Sequence, residues 1–83
     1  MRSKMSKNYF HLYDESDVFD LEGAEMADDD AAVAHGTAAV REIIADDVLR
    51  TGRIDLRHRV EITDEDGRPV RTVTFGDVLT IVS

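Results

Sequence analysis

Eighty-three residues with a formal net charge of −8 and no cysteine describe one small domain held by neither disulfides nor thiolate-bound metal. A chain of this length buries only about 60–65% of its unfolded surface, so its core is expected to lean on a partner subunit. No run reaches the roughly 18 apolar residues of a membrane span, and the acidity argues against a nucleic-acid surface.

The first seven residues carry Arg2, Lys4 and Lys7 with no apolar stretch behind them. That excludes a signal peptide, and a flexible basic segment over 1–7 is expected before a domain over 8–83. Lack of cysteine fits a cytoplasmic protein. Asn8 to Tyr13 alternates Phe10 and Leu12 with Tyr9, His11 and Tyr13, a period of two that predicts a strand. Asp14 to Asp17 is turn-prone, because Asp and Ser side chains bond their own backbone. Val18 to Leu21 alternates again and predicts the return strand of a hairpin, ended or bulged at Glu22-Gly23, with Ala24 to Met26 as its extension. Between Asn8 and Val40 lie nine acidic residues and neither Lys nor Arg; the remainder carries nine acidic against ten basic residues. One half of the chain is thus a concentrated negative field, which favours basic partners.

Asp28 to Gly52 predicts a single long helix over about 28–51. Asp28 is the N-cap, Asp29 and Asp30 complement the dipole, and Gly52 is the left-handed residue past the end. At 100° per residue, Ala32, Val33, Gly36, Ala39, Val40, Ile43 and Ile44 form the arc that faces the sheet. Gly36 costs about 1 kcal/mol there relative to Ala, which close approach to a strand or an aromatic ring would offset. Asp47 falls on the same arc and needs a partner such as Arg50 or Arg57. On the far side Ala31, Ala34, Ala38, Ala45 and Leu49 align as a possible second packing surface.

Leu56, His58, Val60 and Ile62 share one parity and predict a third strand, with Arg57, Arg59 and Glu61 on its other face. Asp64 to Gly67 is a hairpin turn. Pro69 starts the fourth strand, Val70 to Phe75, whose broken parity predicts a bulge or burial on both sides. The tail, with Val78, Leu79, Ile81 and Val82, is too apolar for water and is expected to pack on the domain or on a neighbour.

Tyr9-Phe10-His11-x-x-Asp14, Asp20-x-Glu22-Gly23, Asp28 opening an Ala-rich helix, and Val60-x-Ile62-x-Asp64-x-x-Gly67 followed by Phe75 together resemble a family of small proteobacterial proteins. That family is a domain of unknown function, and the resemblance covers roughly residues 8 to 79. It implies a fold pattern and a bacterial origin and brings no catalytic or ligand residues with it. A looser likeness over about 9–45 is to HicB-type antitoxins, although nothing here corresponds to their DNA-binding segment.

The residues support little chemistry. Asp64-x-Asp66-Gly67 is similar to a calcium loop, but with Gly67 at the sixth position Ile62 and Val73 stand where the anchoring ligands belong. Asp14, Asp17, Asp20 and Glu22 read as acidic turns. His11, His35 and His58 lack metal-ligand spacing, and His58 has core-facing parity. No metal, cofactor or catalytic residue is expected. Tyr9, His11 and Tyr13 beside Arg57 and Arg59 suggest an aromatic–basic face able to stack single-stranded bases.

The fold expected is α+β, β-β-α-β-β, an antiparallel sheet covered on one face by the helix. The function expected is that of a small acidic protein-interaction or regulatory module without catalytic activity, forming a homodimer and binding a basic protein. The alternative is a weak single-stranded nucleic-acid binder. Leu49, Tyr9, Tyr13, Val78, Leu79, Ile81 and Val82 are the expected interaction surface, since none has an obvious place in one sheet–helix core.

Overall fold

The computed structural model describes residues 6–82. It is α+β: strands β1 (Ser6–Tyr13), β2 (Asp17–Val18) and β3 (Ala24–Met26), helix α1 (Asp29–Thr51), strands β4 (Arg59–Thr63) and β5 (Pro69–Thr74), and a 3-10 turn, Phe75–Val78. All pairings in the five-stranded sheet are antiparallel, and β1 and β4 are central. The flexible segment expected over 1–7 lies outside the described residues up to position 5. Ser6 and Lys7 belong to β1, and the Lys7 N–H donates to Glu65 Oε1 at 2.9 Å.

The helix forms as its ends dictate. Asp28 Oδ1 accepts the Ala31 N–H at 2.8 Å, and Gly52, at φ 71°, donates to the Val48 carbonyl at 2.9 Å. Its buried row is Ala32, Gly36, Val40 and Ile44, which packs on Val60, Ile62, Val73, Phe75 and Val78. A Cβ built on Gly36 would stand 2.8 Å from Ile62 Cδ1 and 3.6 Å from the Phe10 ring. The glycine therefore marks a close approach of helix and sheet. Asp47 meets Arg50 Nη2 at 3.0 Å.

Two predicted strands change. The return strand expected over Val18–Leu21 is split in two. Leu12 pairs with Val18 and Asn8 with Ala24, so six residues of chain span four of β1. The two surplus residues form an excursion between β2 and β3, and the Asp20 side chain replaces the missing ladder: its Oδ2 accepts the Phe10 N–H at 3.2 Å. The strand expected from Leu56 begins only at Arg59, because Asp55 holds the preceding turn through the Arg57 N–H at 2.9 Å. The bulge expected in β5 is present as a register shift at Ile62/Thr63.

The tail takes the first of its two expected places, on the domain, as far as Leu79. Thr74 and Asp77 form a capping box, Thr74 N–H to Asp77 Oδ2 at 2.9 Å and Asp77 N–H to Thr74 Oγ1 at 3.1 Å, which turns the chain back onto the core. Val78 joins the core and Leu79 packs against it, so neither belongs to an exposed interaction surface.

Candidate functional site

Because α1 covers one face of the sheet, the side chains of opposite parity are left on an open face. Tyr9, His11 and Tyr13 of β1 lie there beside Thr63, Glu61 and Arg59 of β4, with Thr72 and Thr74 of β5 opposite the last two. The aromatic groups build a continuous ladder. The Tyr9 and His11 rings are parallel within 2° at 6.3 Å, and Phe19 leans edge-on to both His11 and Tyr13 at 5.8 Å. The Arg59 guanidinium sits 4.5 Å from the centre of the Tyr13 ring, a cation–π contact, while its Nε approaches Glu61 Oε2 at 3.3 Å.

Asp20 fixes one end of this ladder. Its N–H donates to His11 Nδ1 at 3.1 Å, which in the neutral ring leaves the proton on Nε2, 3.3 Å from Thr63 Oγ1. Its carboxylate also accepts the N–H groups of Glu22 and Gly23 at 3.1 and 3.0 Å. Partial burial pushes the Asp20 pKa up, but the N–H groups of Gly23, Phe10 and Glu22 and the nearby His11 outweigh it, and the net shift is downward.

The acidic segment borders the open face. None of the nine carboxylates from Asp14 to Asp30 forms an ion pair among the described residues; Asp14, Asp20 and Asp28 accept backbone N–H groups instead. The ion pairs among the described residues all fall between Asp46 and Arg68. Several of them line a 590 Å³ cavity beside the C-terminal end of α1. There the Arg57 guanidinium grips both oxygens of Asp55, at 3.0 and 2.9 Å, and holds its carboxyl well below the usual range. His58 Nε2 lies 3.5 Å from the same carboxylate, and its half-buried ring stands edge-on to Phe75 at 5.5 Å, in keeping with its core-facing parity. The charged groups of this cavity are largely engaged with one another. Among the described residues, no three His, Cys, Asp or Glu side chains are arranged to hold a metal ion, and no helix is long and apolar enough to cross a membrane.

The interaction surface expected from the sequence is divided by the fold. Tyr9 and Tyr13 lie half-buried on the open face of the sheet. Leu49, 86% exposed, lies on the outer side of the helix, and Ile81 and Val82 are exposed in the tail. Of the two arginines expected beside the tyrosines, only Arg59 is there; Arg57 lies in the turn before β4. Phe19 and Asp20 were not expected as parts of the site. Their positions follow from the split strand, which periodicity does not encode.

No curated protein and no solved structure matches the chain. Residues 7–76, which run from β1 to the start of the 3-10 turn and include the ladder, the acidic segment and α1, match the family described as Domain of unknown function (DUF6894), and the chain belongs to that family.

Proposed function

We propose that this protein is a small acidic interaction module without catalytic activity, which associates with itself and binds a basic protein partner in the bacterial cytoplasm. The observation that supports this reading is the acidic segment from Asp14 to Asp30, whose nine carboxylates have no cationic partner among the described residues. Such a field attracts Lys- and Arg-rich surfaces and raises their encounter rate, with a strong dependence on salt. The likeness to HicB-type antitoxins makes a basic, toxin-like protein the partner class to seek in adjacent reading frames.

A second reading is single-stranded nucleic-acid binding on the open face, which the ladder of Tyr9, His11, Phe19 and Tyr13 favours. It ranks second because Arg59 is already paired with Glu61 and the border is acidic. Titration calorimetry with a Lys/Arg-rich peptide and with a single-stranded oligonucleotide separates the two. The expected result is peptide binding that weakens as salt rises and is lost when Asp14, Asp17 and Glu22 are changed to Asn, Asn and Gln. Salt-sensitive oligonucleotide binding without peptide binding overturns it.

A further inference from the structure

We propose that the excursion between β2 and β3 is a pH-operated latch, closed while the His11 ring is neutral and open once that ring carries two protons. The device acts on the acidic segment whatever that segment binds, so it stands or falls separately from the function proposed above. Geometry fixes the charge of the ring. The Asp20 N–H is a donor in every state, and it meets His11 Nδ1 at 3.1 Å, so that nitrogen must offer a lone pair. The ring proton then sits on Nε2, 3.3 Å from Thr63 Oγ1. An imidazolium has two donors and no acceptor, and turning the ring over only presents another hydrogen. No orientation of the charged ring can receive the Asp20 N–H.

Little else holds the excursion down. Phe19 and Leu21 are 56% and 87% exposed, so burial of apolar surface contributes little there. Three contacts tie these residues to the middle of β1: the Asp20 N–H on His11, Asp20 Oδ2 on the Phe10 N–H at 3.2 Å, and the Phe19 ring edge-on to His11 and Tyr13 at 5.8 Å. Two of the three use the His11 ring. The remaining one is contested after protonation, because Nδ1–H becomes a donor that competes with the Phe10 N–H for the Asp20 carboxylate. The surroundings accept the added charge. The carboxylates facing the ring are Asp20 on the excursion and Glu61 opposite it on β4, and Arg59 is already paired with Glu61. Further along the face Lys7 stands opposite Glu25 and Asp17 opposite Tyr13, while the Tyr9 and Tyr13 phenols flank the ring on β1.

Amide hydrogen exchange of the full chain from about pH 8 to about pH 5, the range in which histidine side chains change charge, tests this alongside ring-nitrogen NMR. Exchange is expressed as protection factors, which removes its intrinsic dependence on pH. At about pH 8 the His11 ring should carry its proton on Nε2 alone. On acidification the Asp20 and Phe10 amides should lose about three- to tenfold in protection, the worth of one hydrogen bond, while the Val40 amide in α1 changes by less than about twofold. His11→Gln keeps an acceptor and cannot titrate, so its latch should stay closed throughout. His11→Phe has no acceptor and should leave the latch open at every pH. If His11→Phe loses its circular dichroism signal, His11→Gln decides alone. A proton on Nδ1 at about pH 8, a ring that stays neutral to about pH 5, or protection that does not fall as the ring becomes charged overturns the latch. Protection that falls in His11→Gln as it does in wild type belongs to another group, such as His35 or His58, and overturns it equally.

Discussion

The two faces of β1 are finished in opposite ways. Toward the helix, Phe10 and Leu12 join an apolar core in which Val40, Ile62 and Phe75 are fully enclosed and the absence of a side chain at Gly36 makes room. Away from the helix, Tyr9, His11 and Tyr13 have no covering layer, and they shelter one another by stacking edge to face with Phe19 and Arg59. The covered face gains from volume filled and water excluded. The open face gains only from contacts that survive in water, each worth about 0.5–1.5 kcal/mol. Stability is therefore concentrated on one side of a single strand, while the other side is left without a covering layer.

Neighbouring substitutions across the sheet make this contrast measurable. Ile62→Ala, on the covered face of β4, removes a fully buried side chain and is expected to cost about 4 kcal/mol in urea unfolding, close to unfolding a domain this small. Adding Gly36→Ala to that variant places a methyl where Ile62 Cδ1 stood, so the pair should recover about 1 kcal/mol, whereas Gly36→Ala alone destabilises. Additive costs would show that the helix does not rest on Ile62 at this point.

Asp20 stands between the two faces. Asp20→Asn exchanges charge-assisted bonds to Phe10, Glu22 and Gly23 for neutral ones, with one oxygen lost, and should cost about 1–2 kcal/mol at neutral pH. The pH dependence has a definite sign. The folded pKa lies below the unfolded value of about 3.9, so this contribution is present above about pH 4 and is lost as pH falls through the folded pKa. Wild type and variant should therefore converge in stability as pH falls below about 4, and a gap that does not narrow there would remove Asp20 from the account. The smallest effect belongs to the open face. Arg59→Ala loses a solvent-facing ion pair and one cation–π contact and should cost less than about 1 kcal/mol in thermal unfolding. A loss comparable to that of Ile62→Ala would show that the open face also holds the fold together.

The helix was legible because its signals are local. Asp28 and Gly52 act within one turn of themselves, and the arc through Ala32, Val40 and Ile44 is a matter of spacing. The hairpin of β4 and β5 was legible for the same reason, through Gly67 and Pro69. The split between β2 and β3 was not, since it depends on Asp20 reaching the Phe10 N–H ten residues away, and alternation in Val18–Leu21 gives no warning of it. For Val78 and Leu79 two places were left open, the domain or a neighbour, although a local signal chooses the first: Thr74-x-x-Asp77 has the form of a capping box and turns the tail inward. The aromatic strip was half legible. Parity put Tyr9, His11 and Tyr13 together, while Phe19 and the choice of Arg59 over Arg57 needed the ends of the strands.

The blunted sheet edges bear on what happens when the chain is crowded or strained. Fibrillar aggregation proceeds by adding strands to an unguarded row of N–H and C=O groups, and valine-, isoleucine- and tyrosine-rich segments such as those of β1 and β4 are well suited to that growth. Here the outermost ladder on one side is two and three residues long and broken between, and on the other it starts at a proline, slips register and ends with its last donor already held by Asp77. As long as these two borders stay folded, neither presents an uninterrupted row of N–H and C=O groups to which a further strand could add.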